Sequence, residues 1–330
     1  MLIDVHAHIL TETFLREMAA EGAFGIARGE GGDYLMPGYG PLDRWLFDLE
    51  ARLEGLRRRD VTQQIVAPPP RLVSAAGWAV DAAMARRLNA QTADAVAAAD
   101  GLLTGLAVPP LAEPDRAADE VRRALGEHGL QGVALPSSAG GRPLDGPELA
   151  PLFDLCARHG LFVFMHPTTG IERPALQDYT MLQLVGWPFE TTLAVARLIF
   201  SGLFERHPEF KLVLAHGGGA LPFLAGRLDL GYLAPDYEAN PDCRANISKP
   251  PSAYLKQITF DTVVASGGAL RYLVGLVGAE RVMFGSDYPF EIGDAEGETS
   301  LAVIDTLPAA EQRLIRAGNA EAALASVVLP

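Results

Sequence analysis

The strongest constraint on the fold of this chain is an alternation of short, continuously apolar runs with helical patterns, which occurs eight times. Strands that are apolar on both faces are typical of parallel sheets covered by helices on both sides. Eight such units predict an α/β fold, a (β/α)8 TIM barrel, formed as one domain by residues 1–330. The strands are expected at 1–9, 64–68, 102–108, 132–135, 161–165, 211–215, 258–261 and 281–284.

An open doubly wound sheet is the alternative fold. It is the weaker prediction, because no glycine-rich phosphate loop of the form G-x-G-x-x-G or Walker A opens a helix in this sequence.

The segment after the first strand shows no steady period over residues 11–43, and its glycines break any regular element. Long loops inside a compact domain are usually functional. We therefore expect an irregular insertion at 10–43 near the active site, followed by an amphipathic helix at 44–59.

Composition excludes several classes of partner. The formal net charge is −14 and the only dense basic run is Arg57–Arg59, whereas phosphate binding needs clustered Lys and Arg. No apolar run reaches the length of about 18 residues that a membrane span needs, and two cysteines do not make a disulfide framework. The first strand begins at Met1, which leaves no room for a signal peptide. We expect a cytoplasmic protein with no nucleic-acid and no membrane partner.

Histidines and one aspartate collect at predicted strand ends. His6 and His8 are spaced i, i+2 in the first strand, so both imidazoles point to the same side. His166 ends the fifth strand and Asp287 the eighth, and the carboxyl ends of barrel strands face the active site. For His-x-His alone, a polar strand end is an equal alternative. Three imidazoles and a carboxylate together suit Zn²⁺ with an open catalytic position, and Mn²⁺, Fe²⁺ or Co²⁺ are also possible.

His216 also ends a predicted strand, the sixth, and three glycines follow it. Glycines let a substrate approach the backbone closely, and imidazole titrates near neutral pH. We interpret His216 as a general acid or base; a further ligand or a structural residue is the alternative. The remaining histidines, His128, His159 and His207, lie at helix ends, where the helix dipole is the ordinary explanation.

These residues also carry a family resemblance, in the motifs IDVHAHIL at 3–10, FMHP at 164–167, AHGGGA at 215–220 and GSDYPF at 285–290. The chain resembles the amidohydrolase superfamily, and within it the aminocarboxymuconate semialdehyde decarboxylase branch. The resemblance implies one Zn²⁺-like ion on His6, His8, His166 and Asp287, a metal-bound water, and His216 as the residue that activates it. It makes His216 and Asp287 the catalytic residues.

The sequence departs from that branch in its substrate site. The decarboxylase holds a substrate carboxylate with an arginine before its first helix, but residues 29–43 contain none. Arg44 is nearby, although it could instead lie on a helix surface. The substrate-lining tryptophan of the decarboxylase falls on Gln183, with Trp187 one helical turn away. We predict a substrate-binding set of Arg44, Gln183, Trp187 and Phe290.

The function predicted from these residues is non-oxidative decarboxylation of an unsaturated or aromatic carboxylic acid. The alternative on the same site is hydrolysis or hydration of a ring-cleavage product or lactone. A metal-binding scaffold without activity is a third interpretation, and an open four-ligand site beside a fifth histidine disfavours it. The expected partners are a small carboxylic acid and further copies of this chain, as a homodimer or higher homo-oligomer.

Overall fold

All eight predicted strands are present and run parallel. The structure is a computed structural model that describes residues 1–37, 40–75, 78–170, 174–234 and 241–328. We number the barrel strands in chain order. They are β1 (Ile3–His8), β2 (Gln63–Ala67), β3 (Leu103–Gly105), β4 (Gly132–Pro136), β5 (Phe162–His166), β6 (Leu212–Leu214), β7 (Ile258–Asp261) and β8 (Val282–Met283).

The eight strands form a closed ring. Strands β1 to β3 pair in one sheet and β4 to β8 in a second, each in sequence order. The sheets join between β3 and β4, where the backbone N–H of Ala107 donates to Gly132 O at 2.8 Å. They also join between β8 and β1, where Val5 N–H donates to Phe284 O at 2.9 Å. The predicted (β/α)8 barrel is thereby confirmed, and the open sheet is excluded.

Thirteen α-helices occur in the described part of the chain. They are α1 (Glu12–Glu21), α2 (Leu49–Arg58), α3 (Pro70–Val73), α4 (Ala82–Ala97), α5 (Ala117–His128), α6 (Ala150–Arg158), α7 (Trp187–Phe200), α8 (Leu203–Arg206), α9 (Leu221–Leu233), α10 (Gly267–Val277), α11 (Glu298–Ile304), α12 (Ala309–Arg313) and α13 (Asn319–Ala325). Two π-helical segments, Leu182–Gly186 and Leu314–Gly318, precede α7 and α13.

A two-stranded antiparallel sheet, formed by Ser74–Ala75 and Trp78–Ala79, and short 3-10 turns complete the regular structure. The turns are Ala23–Gly25, Arg44–Leu46, Pro114–Arg116, Pro147–Leu149, Pro174–Leu176, His216–Gly218, Pro241–Arg244, Pro251–Gln257 and Ala279–Arg281. The helix predicted at 44–59 is divided into the turn Arg44–Leu46 and α2, because Asp48 accepts a hydrogen bond from Ala51 N–H and starts a new helix.

The insertion at 10–43 is more regular than predicted. It contains α1 and a small antiparallel sheet of Ala27–Arg28, Tyr34–Met36 and Gly40–Pro41; its residues 38 and 39 lie outside the described ranges. Thr11 caps α1 and Gly22 ends it in a left-handed conformation. The helix buries only three apolar side chains, too few for a clear sequence period.

The last helices pack back onto the barrel. The side-chain amide of Asn319 donates to the carbonyls of Ala279 and Val282, at 2.8 Å each, and so ties α13 to β8. We therefore propose that the chain forms one domain. Within the described residues, no helix has the length and apolar character needed to cross a membrane.

Candidate metal centre

Four predicted ligands from three strands meet at the carboxyl end of the barrel. β1 carries His6 and His8, β5 ends at His166, and Asp287 follows β8. Each can offer one ligand atom, and these atoms all lie within 4.8 Å of one another. All four side chains are buried, with at most 7% of any residue exposed. The barrel therefore gathers residues far apart in sequence into one compact donor set.

Hydrogen bonds orient the imidazoles toward the centre of this cluster. Nδ1 of His6 donates to Asp261 Oδ2 at 2.6 Å, and Nδ1 of His166 donates to the carbonyl of Pro167 at 2.8 Å. The Nε2 atoms of His6 and His8 each lie 3.1 Å from Asp287 Oδ1. His166 Nε2 is buried without a hydrogen-bond partner in the described part of the structure. A bare imidazole nitrogen in this position is what a metal ligand requires.

The charges of the cluster follow from burial and proximity. Burial, reinforced by repulsion from the neighbouring imidazoles, holds the pKa of His166 well below its usual range, so this ring is neutral. Burial works against the charge of Asp287, but attraction to His6 and hydrogen bonds from three histidines hold its pKa well below the ordinary value. Burial also opposes the charge of His6, whereas Asp287 and Asp261 raise its pKa to about 10. A metal ion would compete with that proton, so its binding strengthens as pH rises.

His216 lies beside the four-residue cluster. It follows β6 in the turn His216–Gly218, with a left-handed φ of 56°. Its Nε2 is 3.4 Å from Asp287 Oδ2, and its ring centroid is 5.0 Å from that of His166. Its side chain keeps 16% of its surface exposed, more than any of the four cluster residues. This position at the open edge is compatible with proton transfer to a substrate.

The glycines after His216 are required by packing. At Gly219, φ is 64° and a Cβ would lie 2.0 Å from the carbonyl oxygen of Pro188 in α7. Ala220 N–H donates to Thr192 Oγ1, which in turn donates to the same Pro188 carbonyl. The turn after β6 is therefore docked against the first turn of α7, and this fixes His216.

Two of the four predicted substrate-binding residues line the cluster. Trp187 is 7% exposed, stacks on His216 at 6.5 Å between ring centroids and meets His166 edge-on at 5.5 Å. Phe290 lies with its ring centroid 5.3 Å from that of His8. Gln183, half-buried in the π-helical segment before α7, has no described contact with the cluster.

Arg44 is placed on the surface. Its side chain is 66% exposed and forms an ion pair of 2.7 Å with Asp48. None of its described contacts reaches the cluster, which agrees with the alternative of a solvated helix face.

Sequence reasoning missed Asp261, the last residue of β7. It is fully buried, accepts from His6 Nδ1, and also accepts from the backbone N–H of Gly217 and Val263 at 2.8 and 3.0 Å. One carboxylate thus fixes the orientation of His6 and of the turn carrying His216. The rule that found the other residues, a polar side chain at the carboxyl end of a barrel strand, would have found it.

Known proteins share this architecture. The family model described as amidohydrolase matches residues 3–325. The 2-amino-3-carboxymuconate-6-semialdehyde decarboxylase of Dictyostelium discoideum is 34% identical over 77% of this chain and 70% of its own length. The crystal structure of 5-carboxyvanillate decarboxylase from Sphingomonas paucimobilis is similar with a TM-score of 0.79 at 26% identity, covering 99% of both chains.

A second solved structure is the 5-carboxyvanillate decarboxylase of Novosphingobium aromaticivorans. It has a TM-score of 0.81 at 22% identity, over 98% of this chain and 96% of that one. That protein was crystallised with manganese and 4-hydroxy-3-methoxy-5-nitrobenzoic acid.

A closed parallel barrel with imidazoles and a carboxylate gathered at its carboxyl face defines a metal-dependent barrel enzyme. Since the family model covers nearly its whole length, the chain belongs to the amidohydrolase family, in the branch of the 2-amino-3-carboxymuconate-6-semialdehyde decarboxylases.

We predict that His6→Ala or Asp287→Ala loses most bound metal and all turnover, because each removes one of four ligands and opens the coordination shell. Elemental analysis of the purified proteins measures the metal. His207→Ala is the matched control, since this imidazole pairs with Asp154 at 3.0 Å and makes no described contact with the cluster. Full metal occupancy in both cluster variants would contradict the assignment.

Proposed function

We propose that the protein is a metal-dependent carboxy-lyase that removes CO₂ from an unsaturated or aromatic carboxylic acid without an oxidant. The observation that carries the proposal is a buried set of three imidazoles and one carboxylate with His216 at its open edge. The relatives named decarboxylases support the reaction class.

The donor set suits a divalent metal ion. His166 presents a buried, unpartnered Nε2, and the Nε2 atoms of His6 and His8 share one oxygen of Asp287. We propose Zn²⁺ as the native ion because mixed nitrogen and oxygen donors with an open position are its usual catalytic set, with Mn²⁺, Fe²⁺ or Co²⁺ as alternatives. When bound, such an ion is a Lewis acid that polarises a substrate oxygen.

His216 supplies the proton in this scheme. A proton from its imidazolium adds to the carbon that bears the carboxylate, and that carbon becomes tetrahedral. The bond to the carboxylate then breaks, its electron pair returns to the unsaturated system, and CO₂ leaves. Asp287, with Oδ2 3.4 Å from His216 Nε2, orients the imidazole ring.

Trp187 and Phe290 are proposed as aromatic walls for a flat substrate. They flank the cluster on the sides of His216 and His8 respectively, and aromatic rings pack well against a planar acid. The indole Nε1 of Trp187 is buried and has no hydrogen-bond partner among the described residues. It is a candidate donor to a substrate oxygen, with Gln183 one turn earlier as a more distant member of the set.

An exposed apolar surface supports a homodimer. Six side chains on the α7 and α9 side, between 51% and 80% exposed, are Leu184, Phe189, Leu193, Phe223, Leu230 and Leu233. Because α7 and α9 pack against each other, we propose that these exposed side chains belong to one surface. Large exposed apolar surfaces mark association sites, and two-fold symmetry would place the same surface on both subunits.

A cytoplasmic location stays a prediction of the sequence.

The reaction class is tested with a panel of aromatic and unsaturated carboxylic acids, ring-cleavage products and lactones. We expect CO₂ release from one or more of the acids, and Trp187→Leu should raise KM for the active acid because it removes one wall of the site. Conversion of a lactone or alkene without CO₂ would instead establish the hydrolase or hydratase alternative.

His216→Asn should keep the metal and lower kcat by about 10²- to 10⁴-fold, the usual contribution of a general acid or base. Metal content and kcat are measured on the same preparation, with His128→Asn as a control at a distant helix end. Loss of metal along with activity would make His216 a ligand. Intact metal with wild-type kcat would leave it a structural residue.

The substrate carboxylate needs a cation, and a guanidinium binds it with two parallel hydrogen bonds. Because Arg44 is exposed and paired with Asp48, we expect Arg44→Met to leave KM unchanged, which favours an arginine from the neighbouring subunit. Phe223→Asp on the apolar surface should then separate the subunits in sedimentation velocity and raise KM. A raised KM in Arg44→Met alone would restore Arg44 as the anchor.

A further inference from the structure

A buried arginine lies next to the cluster and takes no part in the proposed chemistry. Arg52, on α2, is 0% exposed. Its guanidinium donates to the side-chain oxygen of Gln64 and to the backbone carbonyl of His8. Burial lowers its pKa to about 10, so it remains a cation at neutral pH. In the described structure it has no direct ion pair. A buried cation with only neutral partners destabilises the folded state unless a wider hydrogen-bond network stabilises the charge.

Arg52 is linked to Asp4 through Gln64. The side-chain amide of Gln64 accepts from Arg52 and donates to Asp4 Oδ2 at 2.7 Å, so it bridges the guanidinium and the carboxyl group across β2 and β1. Asp4 and Gln64 are both 0% exposed. Burial raises the pKa of Asp4, although the four hydrogen bonds that its carboxyl oxygens accept act in the opposite direction.

Asp4 connects this network to the backbone on either side of the cluster residues. Asp4 accepts from Ser286 Oγ at 2.6 Å and from Ser286 N–H at 3.0 Å, directly before Asp287. It also accepts from the backbone N–H of His6 at 3.2 Å. Both β1 and the segment after β8 are therefore held by one carboxylate.

Arg52 holds the same two segments from the other side. It donates to the carbonyl of His8, and its guanidinium lies 4.9 Å from the ring centroid of Tyr288, directly after Asp287. Arg59 covers the same ring at 4.1 Å. Arg52, Gln64 and Asp4 are thus connected to three of the four cluster residues. The hydrogen bonds reach the backbone of His6 and His8 directly, and that of Asp287 through its neighbour Ser286.

We propose that Arg52, Gln64 and Asp4 form a positioning network that sets the spacing between His6, His8 and Asp287, and that metal affinity depends on it. Coordination bonds tolerate only small displacements, whereas β1 and the segment after β8 belong to opposite ends of the chain. A continuous set of buried hydrogen bonds between them restricts their relative movement. The inference rests on the proposed metal site but not on the reaction.

The test compares the Zn²⁺ dissociation constant, from chelator competition, with the melting temperature of the metal-free protein. Arg52→Lys cannot supply a planar guanidinium to Gln64, His8 and Tyr288 together, and Gln64→Met removes the bridge at similar volume. We expect each to raise the Zn²⁺ dissociation constant by about 10- to 100-fold, as for groups that orient ligands. Arg58→Lys is the matched control on the same helix, since Arg58 is exposed and pairs with Glu296.

Ser286→Ala is a milder variant that removes one hydrogen bond to Asp4. If Arg52→Lys and Gln64→Met fail to fold, the Zn²⁺ dissociation constant of Ser286→Ala tests the proposal instead. Wild-type Zn²⁺ affinity in the folded variants, with only a lower melting temperature, would overturn the proposal and leave the network purely structural. Absence of Zn²⁺ binding by the wild-type protein would instead refute the metal site itself. The two failures are therefore distinguishable.

Discussion

The candidate site depends on the contact between the first and last strands of the barrel. His8 and Asp287 are 279 positions apart in sequence, yet His8 Nε2 lies 3.1 Å from Asp287 Oδ1. The backbone N–H of Asp287 donates to the carbonyl of His6 at 2.8 Å, and His8 N–H donates to Tyr288 O at the same distance. Closure of the ring therefore brings His6 and His8 to Asp287, and a change that loosens this seam would separate these three residues.

Electrostatics explains why the cluster can exist in a buried place. Burial opposes the charges of His6 and Asp287, but these two groups lie within hydrogen-bond distance of each other, and His6 also pairs with Asp261. His8 and His166 avoid the problem, because burial lowers their pKa and keeps them neutral. A divalent cation would replace the proton of His6 and receive the three imidazole nitrogens and the Asp287 carboxylate. The same low-dielectric surroundings strengthen the interaction of His216 with Asp287.

Parallel barrel strands and their polar carboxyl ends are local patterns, so the sequence predicted them well. The i, i+2 spacing of His6 and His8 required no knowledge of distant contacts, and His166 and Asp287 followed from the same strand-end rule. The small sheet of the insertion was not predictable, because strands of two or three residues have no period to detect. Arg44 shows the other limit: adjacency in sequence to the active-site insertion did not decide whether its side chain faces the site or solvent.

The sequence by itself determined the fold class, the family and the chemical identity of the cluster, since these rest on periodicity and on residue types at strand ends. Only the tertiary structure decided how the cluster is held. Asp261 orients His6, Trp187 stacks on His216, and Arg52 donates a hydrogen bond to the carbonyl of His8. Each of these contacts joins segments far apart in the chain, and their geometry is set by ring closure and side-chain packing. A sequence pattern specifies which side chains are available, whereas packing specifies which of them touch.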